Sequence, residues 1–321
     1  MPAIQARALA KSFAGRRACW DLSFTVERGE VFGLLGPNGA GKTTTLRMLA
    51  GLLAPDSGSA TVAGEEVLPG RPGSAALRAR IGLLTEAPGF YDRLTALENL
   101  VLFGRLQSLS EAEATRRAGP LLERFALAAH ASRPFAVLSR GMKQKLAIAR
   151  ALLHEPEVVF LDEPTVGLDP EATREVRAVI AELAAERRTI VLCTHHLDEV
   201  ERLCGRAAFI AGRLLAIHDL KAPQHQRLRC VLLLPHAAGV AAARAVPGVL
   251  SVEEAPGQGG RAVLAVELAE QGAGAEQIAA KLVAALAAAG APLCEVAPAG
   301  DPLEVAWLLL QEKARAEGLL G

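Results

Sequence analysis

Short, mostly apolar runs recur through the first two thirds of the chain, and each ends at glycine, hydroxyl or charged residues. Three of them are Val31–Leu35, Val158–Leu161 and Ile190–Cys193. Their length and lack of alternation predict strands that are buried on both faces, as in a parallel sheet covered by helices. We therefore expect residues 1 to about 85 and 156 to about 220 to form one lobe built on such a sheet.

Apolar residues recur at helical spacing in the intervening stretch, about residues 88–155. Helices are predicted over Ala96–Leu106 and Glu111–Phe125, and a third helix passes through Leu146 and Leu152. This stretch predicts a second, helical lobe that interrupts the first one.

The pattern changes after Leu220, where residues 222–226 form a polar linker. Strands are predicted at 228–234, 249–253, 262–268 and 293–296, helices at 237–245 and 276–288, and a glycine turn at 257–260. The order βαββαβ is the ferredoxin-like split pattern. We expect two domains, an α/β domain over residues 1–220 and a smaller α+β domain over residues 221–321.

Composition limits what the chain can do. Its 35 basic and 35 acidic residues cancel, so charge gives no reason to expect binding to nucleic acid or to an anionic membrane. No apolar run approaches the roughly 18 to 20 residues that span a bilayer, and the N-terminus lacks the apolar core of a signal peptide. Five cysteines without a C-x-x-C pair favour reduced, mostly buried thiols. These features predict a soluble, cytoplasmic chain.

A glycine-rich loop follows the first apolar run and precedes a helix predicted over Thr43–Leu53. Its residues are Gly36, Pro37, Asn38, Gly39, Ala40, Gly41, Lys42, Thr43 and Thr44. Strand, glycine loop and helix together form the context of a phosphate-binding loop, in which backbone N–H groups at a helix N-terminus surround phosphate oxygens. We assign Lys42 to the β- and γ-phosphates of a nucleotide and the Thr43 hydroxyl to Mg²⁺. A glycine-rich turn without a ligand is the alternative for the loop taken alone.

Two carboxylates, Asp162 and Glu163, end the second apolar run. The carboxyl ends of parallel strands are where such sheets bind ligands. Asp162 is therefore predicted to face the magnesium ion, and Glu163 to polarise the attacking water. An isolated Asp-Glu pair after a strand would more often be a helix cap.

The segment Leu138-Ser139-Arg140-Gly141-Met142-Lys143-Gln144-Lys145 resembles the signature of the ATP-binding-cassette (ABC) family, which usually reads Leu-Ser-Gly-Gly-Gln. Arg140 and Met142 depart from that pattern and look like the variant in subunits that pair with ABC-2-type export permeases. The resemblance implies that Ser139 and Gly141 bind the γ-phosphate held by a second copy of the chain. A serine N-cap with free N–H groups suits an anion, although an ordinary capped helix looks the same in isolation.

Two further segments match the family in order along the chain. Gly167-Leu168-Asp169-Pro170 resembles its D-loop, which implies that Asp169 crosses a dimer interface and helps to place the water. His195 follows the third apolar run and resembles the switch histidine, which contacts the γ-phosphate. His196 receives no such role and is predicted to be solvated or to cap a helix.

Two further candidate residues differ from the residue that the family usually has at their position. Glu86 takes the place of the family's Q-loop glutamine, which touches Mg²⁺ or the attacking water, and we hypothesise that its carboxylate tightens metal binding or alters coupling. Phe13 matches the aromatic residue that stacks on adenine, but burial in the core is an equal alternative.

The resemblance implies a P-loop NTPase fold of the ABC cassette type, with a RecA-like lobe, a helical lobe and a ferredoxin-like C-terminal accessory domain ending in a helix over Asp301–Leu308. It implies an ATPase that uses ATP and Mg²⁺. Two copies would pair head to tail and power an ABC-2-type membrane permease, whose short helix would dock near Pro88–Asp92. This would place the chain at the inner face of the membrane.

Other classes remain to be separated from this reading. A soluble ABC-type ATPase of DNA repair or translation shares the motifs. A P-loop kinase or GTPase would need neither the signature segment nor the D-loop.

Overall fold

The computed structural model describes residues 1–71, 73–85, 89–221, 227–256, 260–269, 273–298 and 307. They divide into two compact units, one containing Met1–Leu220 and the other beginning at Lys221. Several predicted features lie outside the described residues: Glu86, Pro88, the linker 222–226, most of the turn at 257–260, and the stretch 301–308 apart from Trp307. Among the described residues, no helix combines the length and apolar character needed to cross a membrane.

Ten strands of the first unit are described in chain order. They are β1 (Ile4–Phe13), β2 (Arg16–Val26), β3 (Val31–Leu35), β4 (Ser57–Val62), β5 (Glu65–Val67), β6 (Ile81–Leu84), β7 (Val158–Asp162), β8 (Thr189–Thr194), β9 (Arg206–Ala211) and β10 (Arg213–Asp219). They form two sheets: an antiparallel one in the order β2-β1-β4-β5 and a larger one in the order β10-β9-β3-β8-β7-β6. The sequence analysis expected a single sheet here, and the antiparallel layer is the difference.

The larger sheet is parallel except at its β9–β10 edge. The three apolar runs became β3, β7 and β8, and every residue of these strands is buried. Burial on both faces explains why their sequences do not alternate. Phe24 of the antiparallel sheet stacks on Phe32 of the parallel sheet with ring centroids 5.5 Å apart, so the two sheets share one core.

Helices of the first unit are α1 (Lys42–Leu49), α2 (Ala75–Arg80), α3 (Ala96–Leu106), α4 (Glu111–Arg124), α5 (Arg140–Leu152), α6 (Pro170–Ala185) and α7 (Leu197–Leu203). The predicted α3 is confirmed at both ends, and the predicted α4 extends one residue too far. The helix after the glycine loop was predicted to reach Leu53 but ends at Leu49. Gly51 explains the early end, since its φ of +66° is left-handed and an added Cβ would lie 2.6 Å from the Gly73 Cα.

Capping residues define where the helices of the helical lobe begin. Thr95 and Glu98 form a capping box at α3, and the Ser110 side chain accepts a hydrogen bond from a backbone N–H in the first turn of α4. Ser139 caps α5 in the same way. The buried Asn99 amide donates to the carbonyls of Tyr91, Leu94 and Thr95, which holds the chain entering α3.

The second unit has the predicted order of elements. They are β11 (Arg227–Leu232), α8 (Ala237–Arg244), β12 (Val249–Pro256), β13 (Ala262–Leu268), α9 (Ala273–Ala288) and β14 (Leu293–Pro298). The sheet order is β12-β13-β11-β14, and the three pairings are antiparallel. Its core is apolar and includes Leu228, Cys230, Leu264, Leu282 and Leu286.

Candidate active site

The glycine loop connects β3 to α1, as the sequence predicted. Gly41 caps α1 with a left-handed φ of +91°, and an added Cβ there would lie 2.6 Å from the carbonyl oxygen of Ala18. Lys42 is buried, and its Nζ donates to the carbonyl oxygens of Gly36 at 2.7 Å and Pro37 at 3.2 Å. The loop is therefore closed around the lysine side chain, and α1 begins at the carboxyl end of β3.

Asp162 ends β7, which lies two strands from β3 at the same carboxyl edge. The Thr43 hydroxyl donates to its Oδ1 at 3.2 Å, which joins the start of α1 to this strand end. Burial raises the pKa of the Asp162 carboxyl, and the neighbouring Glu163 charge adds to the rise, while the Thr43 hydrogen bond and Lys42 oppose it. A hydroxyl and a carboxylate oxygen thus meet where the sequence predicted them.

Glu163 lies between the loop and the end of the neighbouring strand β8. Its Oε1 is 3.4 Å from Lys42 Nζ, and His195 Nδ1 is 3.0 Å from each of its carboxylate oxygens. The backbone of Glu163 has a φ of +48°, and its N–H donates to the carbonyl of Cys193 at 2.8 Å. A positive φ is uncommon for a residue other than glycine. Lysine, carboxylate and histidine form one contiguous group.

A cleft of about 420 Å³ opens over this group. It is lined by Ala18, Asn38, Gly39, Ala40, Gly41, Lys42, Thr43, Thr44, Glu163, Val166 and His195. Most of these residues were predicted from the sequence. Ala18 and Val166 were not, because small apolar residues in a turn or strand carry no chemical signal.

The signature residues lie elsewhere. Ser139 caps α5 by accepting a hydrogen bond from the Met142 N–H at 3.2 Å, and neither Ser139 nor Gly141 lines the cleft. Gly141 is buried where α5 approaches α6, since an added Cβ would lie 2.8 Å from the Ala172 Cβ. The guanidinium of Arg140, one of the two departures from the usual signature, packs against Gly167.

Two other candidates also lie outside the cleft lining. Asp169 is the N-cap of α6, where its Oδ1 accepts hydrogen bonds from the N–H groups of Glu171 at 3.0 Å and Ala172 at 2.9 Å. Phe13 is 49% exposed with Lys11 Nζ 5.9 Å from its ring centroid. The alternative that Phe13 is a core residue is therefore wrong. Glu86 lies outside the described residues.

Comparison with known proteins agrees with this geometry. The family model described as ABC transporter matches residues 19–166. The Nod factor export ATP-binding protein I of Paraburkholderia xenovorans is 44% identical over 215 residues, which cover 67% of this chain and 70% of that protein. The chain belongs to the ABC transporter family.

Solved structures of ABC cassettes share the fold. One, an ATP-binding subunit of an ABC transporter, is 36% identical with a TM-score of 0.60 and covers 68% of this chain and 90% of its own. A dimeric bacterial ABC transporter cassette is 25% identical with a TM-score of 0.60 and covers 68% and 99%. As an ABC cassette with its phosphate-binding loop intact, the chain binds nucleotide and is an ATPase.

One polar group of this ABC cassette was missed by the sequence analysis. Glu199, in the first turn of α7, is fully buried and contacts Thr165, Thr194 and Arg177. Acidic residues in a first helical turn are common because they suit the helix dipole, so nothing in the local pattern indicates that Glu199 is buried.

Proposed function

We propose that the chain hydrolyses Mg²⁺-bound ATP as a head-to-tail homodimer that powers a separate export permease of the ABC-2 type. The observation that carries this proposal is the contiguous group of Lys42, Glu163 and His195 beside Asp162 at the mouth of the glycine loop. The direction of transport is supported by the relative from Paraburkholderia xenovorans, whose name is that of an export ATP-binding protein.

The loop residues 36–44 bind the phosphates, with backbone N–H groups at the start of α1 and the Lys42 charge acting together. Thr43 and Asp162 supply two hard oxygen donors that are already 3.2 Å apart. This donor set fits Mg²⁺, which is usually held by one or two protein oxygens together with substrate phosphates. Bound there, Mg²⁺ supplies positive charge that offsets the charge of the phosphates. Glu86 is proposed to contribute to the same metal or to coupling.

Glu163 is the proposed general base. Its carboxylate accepts the proton of the attacking water, and the adjacent Lys42 and His195 hold the carboxylate in place. His195 is proposed to contact the γ-phosphate from the neighbouring strand end. Phe13, half exposed at the end of β1, is available to stack on the adenine ring.

A second copy completes the site. Ser139 and Gly141 do not line the cleft of their own chain, and Asp169 does not either, which supports roles toward a nucleotide held by the partner copy. Such a heterologous pairing closes when each copy contributes both halves. The C-terminal unit is proposed to stabilise this dimer or to tune the ATPase rate, and deleting residues 221–321 without changing either property would contradict that role.

The first test is Glu163→Gln in the full chain. We expect turnover to fall by roughly 10²-fold or more while ATP affinity is retained, because the amide preserves shape but cannot accept the proton. Glu66→Gln, at an exposed position of β5, is the matched control and should leave turnover unchanged. Near-normal turnover of Glu163→Gln would show that the general base is wrongly assigned.

The partner is tested by purifying tagged Glu163→Gln chain in detergent from its native membranes with ATP present. A stoichiometric multi-span protein identified by mass spectrometry supports the transporter. Recovery of only soluble, nucleic-acid or ribosomal partners would instead favour a soluble ABC-type ATPase, the alternative raised by the shared motifs.

A further inference from the structure

Glu199 is a fully buried carboxylate to which the proposed mechanism gives no task. Both of its oxygens are engaged. Oε1 accepts the Thr165 hydroxyl and lies 3.3 Å from Arg177 Nη2, while Oε2 accepts the Thr194 hydroxyl at 2.9 Å. Burying a carboxylate is unfavourable unless it is paired and hydrogen-bonded. Arg177 supplies the opposite charge, and the two threonine hydroxyls complete the hydrogen bonding of the carboxylate. An apolar side chain at this position would not need any of these partners.

The two threonines lie on the two segments that carry the proposed chemistry. Thr165 comes two residues after Glu163, and Thr194 ends β8 immediately before His195. The Thr194 Oγ1 also accepts the His196 N–H at 3.0 Å, so this hydroxyl connects the two residues that flank His195 in the chain. Glu199 therefore holds one hydroxyl next to each member of the Glu163–His195 pair.

We propose that Glu199 is a positioning residue for ATP hydrolysis, joining the segment of Glu163 to that of His195 through the hydroxyls of Thr165 and Thr194. Glu163 and His195 come from different strand ends, and their 3.0 Å contact needs both ends to stay in register. A displacement of about 1 Å can lower turnover by roughly 10²-fold, so a buried link between the segments has a direct effect on rate. The proposal rests on the roles proposed above for Glu163 and His195.

The first variants remove one hydroxyl each and keep the shape of the side chain. Thr194→Val and Thr165→Val are expected to lower kcat by roughly 10- to 100-fold, with KM for ATP changed less than about threefold. Thr194→Ser and Thr165→Ser retain the hydroxyl and should restore most of the rate. Glu199→Gln keeps the volume and one acceptor oxygen, and is expected to lower kcat as well.

Thr189→Val is the matched control. Thr189 is a buried threonine at the opposite end of the same strand, about 16 Å from Thr194 at 3.3 Å per residue. Its hydroxyl accepts the Gly29 N–H at 3.0 Å, so the substitution also removes a hydrogen bond, one that is partly buried. We expect a comparable fall in thermal midpoint and an unchanged kcat, with rates measured on purified full chain well below the midpoint and expressed per bound ATP.

Coupling is measured by combining Thr194→Val with His195→Ala. If the hydroxyl acts through His195 and its contact with Glu163, the double variant loses little more kcat than His195→Ala alone. Fully multiplicative losses, or a Thr194→Val rate equal to that of Thr189→Val, would overturn the positioning role even when Glu163→Gln and His195→Ala are inactive. Normal turnover in those two single variants would instead overturn the proposed active site and this inference with it.

Discussion

The two units of the chain bury different kinds of side chain. Within the described residues, the polar and charged side chains that are almost fully buried all belong to residues 1–220, and they include Lys42, Asp162, Thr194 and Glu199. The core of the C-terminal unit is built from aliphatic side chains and Cys230. Because a buried polar group is costly unless it is bonded, its presence marks a region where geometry is specified beyond what folding requires.

The strands of the two units show the same contrast. In β7 every residue is buried, whereas in β13 buried and half-buried residues alternate. A parallel strand inside a sheet has both faces covered, whereas the antiparallel sheet of the C-terminal unit packs its helices on one face. In the first unit, the fully buried strands of the parallel sheet position the side chains at its carboxyl edge. In the second unit, the sheet packs a single apolar layer against its helices.

The largest expected effect that tests this contrast is on stability. Leu282→Ala removes a fully buried side chain of α9 and should destabilise the C-terminal unit by about 2–5 kcal/mol. ATP affinity should stay within about threefold, since the residues that line the cleft belong to residues 1–220. The measurement is alkylation of Cys230 during urea unfolding, alongside ATP titration. Burial protects this thiol and raises its pKa to about 11, so it reports opening of the C-terminal core.

Leu161→Ala is the control for that experiment. Leu161 is equally buried but precedes Asp162 in β7. This substitution should weaken ATP binding as well as stability. If Leu282→Ala weakens ATP binding just as much, the two units do not behave as independent cores.

A smaller effect is expected at Asp169, where the first unit uses a polar side chain for structure. Asp169→Ala removes the N-cap of α6 and should cost about 1 kcal/mol of stability, measured by denaturant unfolding. Asp169→Asn keeps a capping oxygen and should recover most of that loss. A rate that falls equally in both variants would indicate that the carboxylate charge itself acts across the dimer.

The secondary-structure elements and the candidate active site were predicted from the sequence to different extents. Apolar runs and alternation placed β3, β7, β8, the helices α3 and α4 and the elements of the C-terminal unit within a few residues, because burial follows from local pattern, whereas the antiparallel sheet of the first unit was not predicted. The glycine loop and the two strand-end motifs placed Lys42, Asp162, Glu163 and His195 correctly at one edge, because parallel strands bring their carboxyl ends together. The contact between Glu163 and His195 did not follow, since the two residues come from different strand ends and local pattern does not encode the 3.0 Å approach of their side chains.

Long-range polar contacts were beyond sequence reasoning. Glu199 lies 34 residues from Thr165, and nothing in a charged helix start reveals that it is buried. Its partners are set by the packing of whole elements, which local pattern does not encode. The Asp169 cap is different, because it is made to N–H groups only two and three residues along the chain, and the sequence analysis missed it by considering Asp169 only for a dimer interface.

The smallest expected effect is a change of stability with pH, and it tests the cost of a buried carboxylate in the first unit. Burial is the main cause that raises the pKa of Asp162 above its ordinary value of 3.8, so the charged form is disfavoured in the folded protein. Below pH 3.8 both folded and unfolded states are protonated and no penalty exists. As pH rises through the raised folded pKa, the folded state loses stability. Asp162→Asn should therefore increase the thermal midpoint without nucleotide or Mg²⁺, and by more at pH 7 than at pH 4.

Asp56→Asn provides a control of opposite sign. A hydrogen bond from Lys11, 2.7 Å away, lowers the pKa of this exposed carboxyl, so its contribution to stability is present at neutral pH and is lost as pH falls through the lowered folded pKa. Its amide variant should be less stable than the parent at pH 7, and the difference should shrink in acid. Differential scanning calorimetry of both variants from about pH 2 to pH 7 makes the measurement, since the Asp56 contribution is lost only below the unfolded pKa. A midpoint for Asp162→Asn that falls at pH 7 would mean that its hydrogen bond with Thr43 outweighs the cost of burying the charge.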